Sequence, residues 1–192
     1  MRLVQLSLLL LLAASCRSAP PDPARDFRGS ITAGFGSGSL GNGGWNGYDD
    51  PWVFSAALTG AKKDWPVDFE MQLQYGEASG PTLPERRDVE LAEIALGAAR
   101  TWPLGPSFFL VGGGGLRFVD VRVMKPAFIF DDVAGHEVSP GLYAHGGLYY
   151  RLSPGLGIGA DLRWADGTNV HIEGVSRDTQ LVQLSFGLRW EL

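Results

Sequence analysis

The sequence predicts an all-β chain that folds as an eight-stranded antiparallel up-and-down transmembrane β-barrel. Its strand-like segments alternate apolar and polar residues at period two, so each strand has one apolar and one polar face. The links between the segments are alternately tight and long, and transmembrane barrels likewise place short turns at one end and long loops at the other. The predicted strands span residues 27–37, 51–61, 65–76, 88–102, 107–121, 140–152, 155–165 and 180–192.

The alternation is clearest in the third and the last predicted strands. In the third, apolar residues occupy the odd positions from Val67 to Tyr75, and acids and amides occupy the even positions from Asp68 to Gln74. The strands of soluble sandwiches and lipocalin-type barrels also alternate apolar and polar residues, but their apolar face lies inside. Here the polar face combines full charges with glycine, which suits a narrow and crowded interior. Strands of about 9–11 residues or more are also long enough to cross a bilayer when tilted.

Aromatic residues are concentrated near the ends of the predicted strands. Such residues form belts at the two membrane–water interfaces of membrane barrels. The predicted girdles consist of Trp65, Trp102, Tyr150 and Trp190 at the end with tight turns, and of Trp52, Tyr75 and Trp164 at the end with long loops. Together they predict that the apolar band between them lies within a bilayer.

The chain divides into three predicted segments. Residues 1–15 are interpreted as a signal peptide, because Arg2 precedes an apolar run that is too short to span a bilayer. Residues 16–26 form a Pro-rich tether, and residues 27–192 form the barrel. Since the chain has 192 residues, no room remains for a second domain of ordinary size.

Cys16 is the only cysteine of the chain and follows three small residues. This arrangement resembles a bacterial lipoprotein signal, which implies that Cys16 is lipidated and becomes the mature N-terminus. Ordinary signal-peptidase cleavage near Ser15 is the alternative, because Ala13 and Ser15 also satisfy its requirement for small residues. A single cysteine excludes an intramolecular disulfide in either case.

Three segments carry a resemblance to a known family: FFLVGGGGLRFVDV, GLYAHGGLYYRLSPGLGIGADLRW and the final LVQLSFGLRWEL. The chain resembles the small eight-stranded outer-membrane β-barrels of the OmpA/OmpX-like type over about residues 27 to 192. The resemblance implies a bacterial outer-membrane location. The even number of strands and the alternation of short and long links predict that both termini are periplasmic. The resemblance also implies outer-membrane lipids and the barrel-insertion machinery as partners. The motifs specify a fold and no activity.

Charged side chains on the polar faces predict a network that fills the lumen. Acids and bases inside a low-dielectric tube must pair, because an isolated buried charge is very costly. The predicted lumen residues are Glu70, Glu93, Arg117, His145, Arg151, Asp161, Arg163 and Arg189. Side chains fill an eight-stranded barrel, so a continuous aqueous pore is not expected.

A second interpretation of the lumen is enzymatic. Counting from the turn at residues 153–154 places His145 near Asp161, with Ser185 beside Asp161 on the last strand. Such a set is used in acyl transfer, and some small outer-membrane barrels modify lipid A. The His-x-Ser-Asn motif of the deacylases is absent, and the three residues lie mid-barrel. We therefore expect packing residues and no enzyme activity.

The long loops offer weaker signals. Two acidic loops contain residues that bind divalent cations in other proteins: Asp131, Asp132, His136 and Glu137 in one, and Asp166, His171 and Glu173 in the other. Their spacing matches no metal motif, so neither a metal nor another cofactor is expected. Trp45 and Tyr48 in the first long loop are candidate ligand anchors, although glycine-rich loops of this kind are more often mobile.

Three function classes follow from these observations. The charged lumen favours a non-enzymatic barrel that has a structural role or contacts an unknown surface ligand through its outer loops. The alternatives are a narrow transporter of small apolar solutes and a lipid A-modifying acyl hydrolase or transferase. The net charge of −5 and the lack of a Lys/Arg cluster exclude nucleic acid as an expected partner.

Overall fold

The computed structural model describes residues 26–41, 43, 45, 48, 50–62, 64–80, 88–125 and 132–192. The signal segment, Cys16 and nearly all of the tether lie outside the described residues, as does Asp131. Within the described part of the chain, no helix is long and apolar enough to cross a membrane.

The described residues form ten strands: β1 Phe27–Leu40, β2 Trp52–Lys62, β3 Asp68–Ser79, β4 Asp88–Pro103, β5 Phe108–Lys125, β6 Asp132–Ser153, β7 Leu156–Gly167, β8 Val170–Ile172, β9 Val175–Arg177 and β10 Leu181–Glu191. Eight of them close a barrel in which neighbours in sequence pair antiparallel and β10 lies between β7 and β1. β8 and β9 form a separate hairpin. The predicted eight-stranded antiparallel barrel is therefore confirmed.

β1 and β3 each end three residues later than predicted, at Leu40 and Ser79. Two larger differences concern the long links. β5 and β6 extend to Lys125 and back to Asp132, beyond the predicted limits at residues 121 and 140, and their register shifts at Val123 and Met124. The alternation continues there with valines on the inner face, so pairing continues into the predicted loop. The hairpin of β8 and β9 lies within a segment that the sequence predicts as loop, since strands of three residues leave little periodic signal.

The links divide the barrel into two ends. The end with links 62–68, 103–108 and 153–156 is called the turn end, and both ends of the barrel segment, at Phe27 and Glu191, also lie there. The opposite end, with links 40–52, 79–88, 125–132 and 167–181, is called the loop end. The short links of the sequence therefore lie at one end of the barrel, and the long links lie at the other.

The two faces of the wall have opposite character. Large apolar side chains such as Phe69, Leu73 and Phe186 are exposed on the outer face, whereas Glu70, Gln72 and several arginines are buried inside. Around this apolar band, exposed aromatic side chains lie near both ends: Trp65, Trp102 and Tyr150 at the turn end, and Tyr75 and Trp164 towards the loop end. Trp52 and Trp190 are partly exposed at the loop end and the turn end, respectively. An apolar outside and a polar inside are the opposite of the arrangement in soluble proteins and suit a wall surrounded by lipid.

Glycine makes room for large side chains in the narrow interior. The ring of Tyr149 lies against Gly159 on the neighbouring strand, where an added Cβ would be 2.7 Å from the ring. Tyr149 also stacks on Phe109 at 5.4 Å between ring centroids, and Phe109 lies against Gly157 in the same way. Any other residue would place a Cβ against the ring. Glycines opposite the aromatic rings therefore allow these rings to fill the lumen.

Candidate functional site

The centre of the lumen contains one carboxylate shared by two arginines. Glu93 on β4 contacts Nη2 of Arg163, and its Oε2 lies 3.5 Å from Nη1 of Arg117 on β5. All three side chains are almost completely buried. Arg163 also donates to Oε1 of Gln74 at 3.2 Å and lies over the ring of Tyr143 at 4.9 Å. β4 and β7 are three strands apart, so the pair of Glu93 and Arg163 connects opposite walls of the barrel.

A second group lies between this centre and the turn end. His145 on β6 places Nε2 3.1 Å from Oε2 of Glu70 and Nδ1 3.0 Å from Oδ2 of Asp161. The hydroxyl of Tyr143 donates to the same oxygen of Glu70 at 3.0 Å. Glu70 is only 1% exposed. Since β3 and β6 are also three strands apart, this group forms a second connection across the lumen.

The proposed His/Asp/Ser set is brought together only in part. Ser185 is the direct cross-strand neighbour of Asp161, as counting along the strands predicts. His145, however, directs both ring nitrogens at carboxylates, and neither hydrogen bond involves Ser185. A catalytic histidine needs one nitrogen on the serine hydroxyl and the other on the carboxylate. The arrangement therefore lacks the hydrogen bond that would activate Ser185.

Two of the predicted lumen residues lie towards the turn end. Arg189 is buried on the inner face of β10, and its Nη2 donates to Oγ1 of Thr101 at 3.1 Å. Arg151 is partly exposed, with Nη2 3.7 Å from Glu191 and its guanidinium 5.5 Å from the ring of Phe109. Arg151 lies at the turn-end mouth of the lumen, because its strand ends two residues later.

The described lumen is interrupted by tightly packed layers. A cavity of about 40 Å³ lies beside His145 and Arg163, and another of about 20 Å³ lies between the charged centre and Trp45. A cavity needs roughly 10–15 Å³ to hold one water molecule, so these spaces hold a few waters at most. A wider recess of about 390 Å³ lies at the turn end, around Arg189 and Thr101.

The loop end is closed by an apolar layer, here called the outer cap. Trp45 is 5% exposed, and its indole N–H donates to the backbone oxygen of Asp178 at 2.5 Å. The guanidinium of Arg177 lies 4.8 Å from the Trp45 ring and 5.5 Å from that of Tyr48. The cap core comprises Trp45, Ala78, Val89, Leu91, Val119, Val121, Val123, Val170 and Ile172, with Leu40 and Tyr48 against it.

For some residues of the outer cap, the structure shows a role other than the one predicted from the sequence. Trp45 is a candidate ligand anchor by sequence, but its ring is buried and contributes to the cap core. An apolar layer of inward valines from β4 and β5, separate from the charged lumen, is not among the predictions from the sequence. Their signal is present in the sequence, because the inner positions change from charged residues at Glu93 and Arg117 to apolar ones from Val119 onwards.

Acidic residues of the predicted long loops accept hydrogen bonds from backbone N–H groups. The carboxylate of Glu137 accepts from the backbone N–H of His171, which connects β6 to β8. His136 and Glu173 are exposed, and Asp166 accepts from the backbone of Gly167 at 2.9 Å. Among the described residues, no three His, Cys, Asp or Glu side chains are grouped so that they could hold a metal ion.

No protein-family model matches the chain, and no curated protein matches its sequence. Several solved structures are similar in fold. Neisserial surface protein A superposes with a TM-score of 0.59 at 17% identity, covering 88% of this chain and 99% of that one. A major outer membrane protein from Thermus thermophilus gives a TM-score of 0.58 at 13% identity, with coverage of 88% and 100%. The attachment invasion locus protein Ail of Yersinia pestis gives 0.55 at 13% identity, with the same coverage.

These similarities extend over nearly the whole length of each compared barrel. At such low identity they carry the fold and leave the activity open. The closed sheet, the apolar outer wall and the similar structures agree with one another. The chain therefore has the fold of the small eight-stranded outer-membrane β-barrels.

Proposed function

We propose that this chain is a non-enzymatic barrel of a bacterial outer membrane, which acts through the surface of its loop end. The observation that carries the proposal is the double closure of the lumen, by the charged centre around Glu93 and by the outer cap around Trp45. A barrel that is filled and capped offers its outer surface for contact more readily than its interior.

The same closure argues against the transporter alternative. A path for apolar solutes needs an apolar cavity of adequate size, whereas the space below the cap is about 20 Å³. Its floor is formed by the charged Glu93 and Arg117. Reconstitution of the purified barrel in planar bilayers tests this point. We expect no steady ion conductance above that of the bilayer, and regular open-channel steps would contradict the proposal.

The loop end is predominantly acidic, which bears on the class of partner. The described acids there are Asp50, Glu77, Asp88, Glu90, Asp120, Glu137, Asp166, Glu173 and Asp178. Of the described arginines at this end, Arg122 pairs with Asp120, and Arg177 stacks on Trp45. Ail was solved in complex with the heparin analogue sucrose octasulfate. Because like charges repel, we propose a neutral or basic partner for this chain and expect no retention on immobilised heparin at low salt.

The orientation proposed here places the turn end and both termini in the periplasm. An even number of strands puts both chain ends on one side, and short turns face the periplasm in barrels of this type. A reporter tag inserted in the 103–108 turn should be inaccessible to labelling of intact cells, whereas one in the 125–132 loop should be labelled. Labelling of the turn alone would reverse the assignment.

We also propose that Cys16 is lipidated, which would anchor the tether in the membrane beside the barrel. The support is the sequence alone: an apolar run followed by small residues and cysteine. Replacing Cys16 by Ser should abolish incorporation of labelled fatty acid, while the barrel still inserts through its apolar band. An unmodified mature N-terminus in the natural protein, found by mass spectrometry, would exclude lipidation.

A further inference from the structure

The turn end of the barrel contains an open recess of about 390 Å³. Small-molecule sites in proteins commonly measure about 300–1,000 Å³, so the recess has the size of a ligand site. It lies at the opposite end from the surface proposed above to contact partners. Its lining combines polar side chains, among them Arg189 and Thr101, with the apolar surface of Trp65 and Leu192.

Arg189 forms the inner wall of this recess and is the unusual group in it. The residue is only 6% exposed, and its one hydrogen bond among the described residues goes from Nη2 to the neutral hydroxyl of Thr101 at 3.1 Å. Its Nε is buried and meets no acceptor. No described carboxylate lies within 4.0 Å of its guanidinium. A buried cation without a directly paired counter-ion is costly, so this arrangement favours an anion at the open side.

The acids of the recess are already engaged with other cations. Oδ1 of Asp68 accepts from Nε of Arg28 at 2.9 Å, and Oε1 of Glu191 lies 3.7 Å from Nη2 of Arg151. Arg100 is exposed and lies over the ring of Trp102, where water solvates its charge. Arg189 is therefore the buried cation of the described recess that has no described carboxylate in direct contact; Glu191, Asp68 and Glu70 attract it only from a greater distance.

We propose that this recess binds a small organic anion whose carboxylate or phosphate group lies against Arg189. The hydroxyl of Thr101 is already hydrogen-bonded to the guanidinium and has a proton to donate to the same anion. Ser30 and Thr59 share one hydrogen bond of 2.7 Å, so one of their two hydroxyl protons is also available. Trp65 and Leu192 supply apolar surface for the body of the ligand.

The test measures thermal unfolding of the purified, folded barrel in detergent, in zwitterionic buffer with sodium phosphate, sodium acetate or sodium chloride at matched ionic strength. A ligand that binds the folded state raises the midpoint in proportion to its occupancy. We expect phosphate or acetate to raise the midpoint of the natural protein by a few degrees in a saturable way, beyond the effect of chloride. The more effective of the two salts identifies the head group that the site prefers.

Arg189→Gln and Arg122→Gln form a matched pair of variants. Both remove one positive charge, but Arg122 lies at the loop end, where it pairs with Asp120, and does not line the recess. Arg189→Gln should abolish the saturable shift, and Arg122→Gln should retain it. Equal responses in the two variants, or a natural protein that responds no more to phosphate and acetate than to chloride, would overturn the proposal.

Thr101→Val provides a second test that keeps the charge of Arg189 in place. It removes the hydroxyl that orients the guanidinium and donates to the anion, so the half-saturating concentration should rise several-fold. An unchanged half-saturating concentration would overturn the proposal. This test remains available if Arg189→Gln does not fold.

Discussion

Arg117 donates from Nη2 to the backbone oxygen of Thr179 at 2.8 Å, and its Nη1 lies 3.5 Å from Oε2 of Glu93. The Oγ1 of Thr179 lies in turn 3.0 Å from Oγ of Ser139 on β6. One buried side chain thus connects the charged centre of the lumen with the link that carries the outer cap. The two closures of the barrel are therefore expected to be coupled.

Replacing Arg117 by Met tests this coupling. The variant keeps the pair of Glu93 and Arg163 but loses the contact of Arg117 with Glu93 and its hydrogen bond to Thr179. A hydrogen bond from a charged group alone contributes about 1.5–3 kcal/mol to the free energy of unfolding. We expect that loss in denaturant unfolding, together with faster amide hydrogen exchange in residues 170–180. Arg122→Met, on the exposed outer face of the same strand, is the control. Unchanged exchange in the 170–180 segment would show that the closures are independent.

Glu93→Gln should have a larger effect than Arg117→Met. It leaves two buried guanidinium groups without their shared carboxylate, and breaking a buried ion pair costs about 3–5 kcal/mol. Glu90→Gln changes the same strand three residues away on the outer face and should cost far less. Adding Arg163→Met to Glu93→Gln should restore part of the lost stability, since one unpaired charge is removed. Additive losses in the double variant would contradict a shared network.

Trp45→Ala should open the outer cap without unfolding the barrel wall. Removing a buried Trp side chain costs about 3–5 kcal/mol in a protein core, and the stacking of Arg177 is lost with it. Trypsin should then cleave after Arg177, which is 5% exposed in the natural protein. Trp164→Ala, which truncates an exposed aromatic side chain on the outer wall, should leave Arg177 protected. Resistance of both variants to cleavage would rule out the proposed role of Trp45.

The barrel was predictable from the sequence because the information that defines it is local. Period-two alternation gives the face of each side chain, and link lengths give the direction of each strand. The neighbourhood of His145, Asp161 and Ser185 followed from counting along one hairpin and the last strand. These contacts all lie between adjacent strands, where register determines distance.

Contacts across the lumen could not be read in this way. Glu70 lies 75 residues from His145 in the sequence, and their hydrogen bond depends on barrel closure and on the tilt of the strands. The same holds for Trp45 and Asp178, which are 133 residues apart in two different long links. Such pairs leave no periodic signal, so the outer cap and the second carboxylate on His145 became apparent only in the structure.

Ser185→Ala distinguishes a packing residue from a catalytic one. Ser185 is buried beside Asp161, but both nitrogens of His145 are engaged by carboxylates, so the serine lacks an activating base. We expect the variant to lose at most one modest hydrogen bond, about 0.5–1.5 kcal/mol of unfolding free energy. We also expect the lipid A profile of expressing cells, measured by mass spectrometry, to be the same with the natural protein, the variant and an empty vector. A lipid A species that appears with the natural protein and disappears with Ser185→Ala would establish acyl chemistry, because the barrel wall and both closures remain intact in that variant.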